Sequence, residues 1–164
     1  MNSAIERLLT LRIGDIMNSP VETLHENDTM SAAAARLAEL DVSGAPVVDD
    51  CGRCVGMLSV TDFALREARN GSSDAPDQYG WQMGLVMGTD GRPLHLEEFS
   101  TDRVGEHMSP AVQTVSPSAS LVNAGRILCR EHIHRLVIVD DEGRPIGMVS
   151  SLDLVAAMVA AIEE

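Results

Sequence analysis

Val47-Val48-Asp49-Asp50-Cys51-Gly52-Arg53-Cys54-Val55-Gly56-Met57-Leu58-Ser59-Val60-Thr61-Asp62 reads as an apolar strand, a tight turn, a second apolar strand and a Ser-x-x-Asp that opens a helix. The pattern returns ninety-one residues later (153 minus 62) as Ile138-Val139-Asp140-Asp141-Glu142-Gly143-Arg144-Pro145-Ile146-Gly147-Met148-Val149-Ser150-Ser151-Leu152-Asp153. A long-period echo of this kind decides the architecture before any single element does.

Outward from that stretch the register holds without a gap. Gly14 matches Gly105, Met17 matches Met108, Val21 matches Val112, Thr23 matches Thr114, Ala33 matches Ala124 and Leu37 matches Leu128. Each copy spells β-α-β-β-α, with strands too few and too short to bury both faces of a sheet alone. The expected fold is therefore α/β (α+β), two such repeats packed sheet to sheet about a pseudo-twofold axis. The chain divides into an N-terminal helix (1–12), repeat 1 (13–69), a connector (70–103) and repeat 2 (104–164).

Within repeat 1, Thr29 is placed to cap a helix whose apolar stripe is Met30, Ala33, Ala34, Leu37 and Leu40. Val21 to Leu24 alternates as a strand, and Ala45-Pro46-Val47-Val48 reads as a buried strand with proline at its start. Ile5, Leu8 and Leu9 sit at helical spacing ahead of the repeat, on a helix expected to cover a sheet edge or an oligomer surface. The connector opens with Asn70-Gly71-Ser72-Ser73, flexible by composition, and carries Tyr79 and Trp81 as apolar anchors.

Composition narrows the function classes. A net charge of −13 over 164 residues repels a nucleic-acid duplex or an anionic membrane surface. Three cysteines make no disulfide framework, and the N-terminus lacks the apolar run of a signal peptide, so a cytoplasmic setting is expected. The longest apolar run, Leu154 to Ile162, is about half of the ~18–20 residues a membrane span requires.

The paired motifs resemble a tandem pair of CBS domains, the Bateman module. The markers are Asp15-Ile16-Met17 and Glu106-His107-Met108 at the entries, and Gly-Met-Leu-Ser-x-x-Asp with Gly-Met-Val-Ser-x-x-Asp at the strand-to-helix junctions. The resemblance implies a regulatory module that catalyses nothing and requires no cofactor. It implies binding of an adenosine-containing ligand (AMP, ADP, ATP or S-adenosylmethionine) in a cleft between copies. A homodimer and an unidentified protein partner are expected, with no nucleic acid and no membrane.

By the same resemblance Asp62 and Asp153 contact a ribose, with Ser59 and Ser150 reaching ribose or phosphate. A carboxylate suits that task because it can accept from two adjacent hydroxyls. Val21, Thr23, Val112 and Thr114 would flank the adenine. Read without the resemblance, each Ser-x-x-Asp is a helix start, with serine as cap and aspartate favoured by the helix dipole. The four strand residues are then ordinary β-branched positions.

The copies differ in charge. Repeat 2 has Arg126, Arg130, His132, His134 and Arg135 where repeat 1 has Ala35, Glu39, Asp41, Ser43 and Gly44. His134-Arg135 resembles a phosphate-contacting pair of the family, so two unequal sites are expected. The alternatives are a non-sensing dimerisation scaffold, or a thiol or zinc protein using Cys51 and Cys54. Against the last, repeat 2 has Glu142 and Pro145 at those places, and no second Cys-x-x-Cys supplies further zinc ligands.

Overall fold

Two three-stranded sheets organise the protein in the computed structural model, which describes residues 2–69 and 101–163. In chain order the elements are α1 (Asn2–Thr10), α2 (Ile13–Ile16), β1 (Leu24–His25), α3 (Met30–Glu39), β2 (Gly44–Val48), β3 (Cys54–Ser59) and α4 (Val60–Arg69). The second copy follows with α5 (Val104–His107), β4 (Thr114–Val115), α6 (Leu121–Glu131), β5 (Arg135–Val139), β6 (Pro145–Ser150) and α7 (Ser151–Glu163). The expected connector, with Tyr79 and Trp81, lies outside the described residues apart from 101–103.

Contacts divide the chain into two units that cut across the repeats. Among the described residues one comprises 2–21, 52–54 and 112–163; the other comprises 22–51, 55–69 and 101–111. Each repeat thus gives its entry segment to the sheet of the other copy. We refer to them as the β4–β6 unit and the β1–β3 unit.

In the β1–β3 unit the sheet order is β1-β2-β3, with β1 parallel to β2 and Leu24 opposite Val47. The α3 stripe of Met30, Ala33, Ala34 and Leu37 is buried in one core with Val47, Leu58 and Phe63. Thr29 caps this helix, its Oγ accepting from the Ala32 N–H at 3.1 Å. Val104, at the start of α5, is 0% exposed and belongs to the same core. Backbone bonds tie α5 down: Val104 N–H donates to the Asp28 carbonyl and Gly105 N–H to the Glu26 carbonyl, each at 2.9 Å. Ser109 and Met57 then exchange bonds at 2.9 and 3.0 Å.

The β4–β6 unit follows the same plan. Its sheet order is β4-β5-β6, with β4 parallel and β6 antiparallel to β5. Leu121, Ala124 and Leu128 of α6 pack with Leu136, Ile138, Val149 and Leu154. The cap here is Ser120, whose Oγ accepts from Asn123 N–H at 3.1 Å. Ile13 takes the place that Val104 holds in the other unit and is likewise 0% exposed. Its N–H donates to the Ala119 carbonyl at 2.9 Å, and Asn18 and Met148 exchange bonds at 2.8 and 3.0 Å. The paired identities Met17/Met108 and Gly147/Gly56 now have a cause. Met17 lies over Gly147, where an added Cβ would come 2.6 Å from its sulfur, and Met108 crowds Gly56 in the same way.

Three expectations change in detail. Helix α1 contacts α6 and α7 rather than a sheet edge, with Leu8 against the core and Ile5 and Leu9 exposed. The strand expected from Val21 shrinks to Leu24–His25, whereas β4 begins one aligned position earlier, at Thr114. Thr114 stands opposite Val137, whose N–H donates to the Gln113 carbonyl at 3.3 Å. The aligned residue in β2 is Pro46, which has no N–H to give, so Thr23 stays outside the ladder. Pro46 is therefore tolerated inside β2 rather than at its start. Helices α3 and α6 are followed by aligned residues in the left-handed region, Asp41 (φ 52°) and His132 (φ 53°), ahead of Ser43-Gly44. This gives His132 a backbone task as the C-cap of α6.

One position is chemically inverted between the units. In the β1–β3 unit, Asp102 Oδ2 accepts from Arg66 Nε of α4 and lies 3.1 Å from His107 Nε2 of α5. The Arg66 hydrogen bond holds the Asp102 carboxyl below its ordinary value; burial opposes this, and the Arg66 and His107 charges add to it. The aligned residues in the β4–β6 unit are Leu11, Ala157 and Ile16, and the last two pack against the core.

Candidate functional site

Ser150 closes β6 and Asp153 lies in the first turn of α7, so the carboxylate folds back onto the strand end. Asp153 Oδ2 accepts from the Ser150 N–H and from Ser150 Oγ, both at 2.7 Å. Asp153 N–H returns a bond to Ser150 Oγ at 3.2 Å, so the expected helix-start geometry is present. Asp153 Oδ2 accepts a further bond from Asn18 Nδ2 at 3.3 Å, from a residue 135 positions earlier. Oδ1 has no hydrogen-bond partner among the described residues.

Burial pushes the Asp153 carboxyl up, but the Ser150 side-chain and backbone hydrogen bonds, Asn18 and the Arg135 charge together bring it below its ordinary value. It is ionised at neutral pH. Arg135 opens β5 directly opposite Ser150, and its exposed guanidinium has no hydrogen-bond or ion-pair partner among the described residues. His134 is exposed next to it, with its carbonyl accepting from Ser151 N–H at 3.0 Å. Thr114 lies on β4, which pairs with β5, and half-buried Val112 precedes it. Val21 belongs to this unit too.

The β1–β3 unit repeats the core of this arrangement and changes its rim. Asp62 Oδ2 accepts from Ser59 N–H at 2.7 Å and from Ser59 Oγ at 2.9 Å. Its other oxygen, Oδ1, accepts from Ser109 Oγ at 3.1 Å. Ser109 is the aligned counterpart of Asn18, and Gly44 that of Arg135. A side chain at Gly44 is excluded, because its Cβ would stand 2.8 Å from the Leu58 carbonyl oxygen. Thr23, exposed, precedes β1.

The structure thus brings Ser150, Asp153 and Arg135 together in one unit and Ser59 with Asp62 in the other. It leaves part of the basic cluster elsewhere: Arg130 Nε donates to Glu131 at 2.7 Å, and Arg126 is exposed on α6. Cys51 is exposed, with its N–H on Asp49 Oδ1 at 2.9 Å; Cys54 is half-buried, with its N–H on the Gly143 carbonyl at 2.9 Å. Among the described residues no group of His, Cys, Asp and Glu is arranged to hold a metal ion. Asn18 and Ser109 escaped the sequence reading. Their only signal was a hydrogen-bonding residue kept at the same place in both copies, directly after Met17 and Met108.

Among the described residues no helix is long and apolar enough to cross a membrane. In sequence the chain is 28% identical over 154 residues to protein MJ1426 of Methanocaldococcus jannaschii, covering 90% of each. Its fold is similar to the CBS domain of a CBS domain-containing membrane protein from Sphaerobacter thermophilus (TM-score 0.70, 27% identity, 95% and 93% coverage). It is also similar to CBSX2 of Arabidopsis thaliana, solved in complex with AMP (TM-score 0.67, 23% identity, 93% and 98% coverage). The family model of the CBS domain matches residues 13–68 and 104–160. The chain belongs to the CBS domain family and carries two copies of that domain.

Proposed function

We propose that this protein is a non-catalytic regulatory module that binds an adenosine-containing ligand through at least one of the two carboxylates that open α4 and α7. The observation that carries the reading is the cradle built twice from Ser-x-x-Asp, in which serine N–H and Oγ fix one oxygen of Asp62 and of Asp153. A carboxylate held in this way is preorganised to accept from ribose hydroxyls with little further loss of freedom. The complex of CBSX2 with AMP supports the ligand class.

Val21, Thr23, Val112 and Thr114 would flank the base, and His134 and Arg135 would meet a phosphate. Binding would shift a conformational equilibrium by the ligand's differential affinity for its two states. A cytoplasmic homodimer completes the proposal, supported by the apolar face that Leu152 (76% exposed), Val155, Val159 and Ile162 present on α7. Thermal-shift titration with adenosine, AMP, ADP, ATP and S-adenosylmethionine tests the ligand. At a hundred times Kd a bound ligand adds about 2.7 kcal/mol, a rise in Tm of roughly 5–11 °C for a chain of this size. No shift with any of them at millimolar concentration contradicts the reading.

A further inference from the structure

We infer that the protein has one working nucleotide site, built on Asp153 and made selective for an anionic ligand by Arg135, while Asp62 is an internal clamp. The inference rests on the adenosine reading above and concerns the differences between two aligned constellations: Asn18, Arg135, Ser150 and Asp153 against Ser109, Gly44, Ser59 and Asp62.

The first difference is which carboxylate oxygen is engaged. All three side-chain and backbone donors to Asp153 converge on Oδ2, including the Asn18 amide at 3.3 Å. Oδ1 is left with its lone pairs for a ligand's hydroxyls. At Asp62 the donors are split, with Ser59 on Oδ2 and Ser109 Oγ on Oδ1 at 3.1 Å. A ligand hydroxyl arriving there must displace or share the Ser109 bond. That exchange of one hydrogen bond for another yields little net free energy.

Charge makes the second difference. Arg135 acts on Asp153 and has no partner of its own, so its guanidinium is available to a phosphate next to the carboxylate that holds the sugar. On a chain of net charge −13 an anion is repelled unless a local cation offsets the field within the screening length of about 8 Å. The β1–β3 unit cannot supply that cation at the aligned place, because Gly44 has the Leu58 carbonyl where a Cβ would go.

Calorimetric titration of the full chain with adenosine and with AMP decides the matter, using wild type, Asp153→Asn, Asp62→Asn and Arg135→Ala. Circular dichroism establishes that each variant is folded. Wild type is expected to bind one AMP per chain. Asp153→Asn weakens both ligands about ten-fold or more, the loss of a hydrogen bond to a charged group. Arg135→Ala weakens AMP by roughly 5- to 30-fold and leaves adenosine within about two-fold. Asp62→Asn leaves both affinities within about two-fold.

Two equal sites per chain, or equal losses from Asp62→Asn and Asp153→Asn, overturn the single-site inference and leave the adenosine reading standing. So does an Arg135→Ala effect that is the same for AMP and adenosine. Absence of binding by either ligand to wild type overturns both.

Discussion

The two units show how much chemistry can change on one backbone plan. Both start their second helix with a carboxylate cradled by serine, and both bury one residue of a borrowed entry segment, Ile13 or Val104. Around those constants the polarity is exchanged. The β4–β6 unit is apolar where the entry segment docks (Leu11, Ile16, Ala157) and cationic at the carboxylate (Arg135). The β1–β3 unit is charged where the entry segment docks (Asp102, His107, Arg66) and bare at the carboxylate (Gly44). Duplicated geometry preserves the fold because the backbone bonds that lock each entry segment do not depend on those side chains. The side chains were thus free to divide the roles between the copies.

Substitutions at aligned positions sharpen that comparison. The largest effect is expected at the borrowed core: Ile13→Ala should cost about 2–5 kcal/mol, read from the urea midpoint at constant m. A loss below about 1 kcal/mol would mean that the entry segment does not hold the β4–β6 core together. Next comes the aligned pair Gly44 and Arg135. Gly44→Ala forces a Cβ against the Leu58 carbonyl and should cost about 1–3 kcal/mol, whereas Arg135→Ala on an exposed side chain should stay within about 0.5 kcal/mol. Equal effects would erase the distinction between a structural and a ligand-facing position.

The third test is pH. Asp102 is held below its ordinary value when folded, so the unfolded chain takes up its proton first as acid is added. Its contribution is complete above the unfolded pKa of about 3.9 and is lost as pH falls through the lower folded value. Asp102→Asn should therefore flatten the acid limb of the stability profile below about pH 4. An unchanged acid limb would show that the cluster contributes nothing to stability. The caps should behave alike in the two units: Thr29→Ala and Ser120→Ala each remove one cap and should each cost about 1 kcal/mol.

What was legible in the sequence followed from local spacing. The elements of each copy, the cap Thr29 and the Ser-x-x-Asp cradles all depend on residues within a few positions of one another. The exchange of entry segments was not legible, because no local pattern says which copy of Gly56 or Gly147 a methionine will cover. Asn18 was hidden for the same reason, lying 135 positions from the carboxylate it joins. The late start of β1 needed the register of its partner, since only pairing shows that Pro46 stands where Val137 donates. The partners of the basic residues were not legible either: Arg130 donates to its neighbour Glu131, a pairing that depends on side-chain geometry rather than on spacing.

A crystal structure of the protein grown with AMP would test the account most directly. The expected result is a single nucleotide with its ribose hydroxyls on Asp153 Oδ1, its phosphate at Arg135 and the Ser109–Asp62 bond intact. A ribose on Asp62, or a nucleotide bound without contact to Asp153, would contradict it.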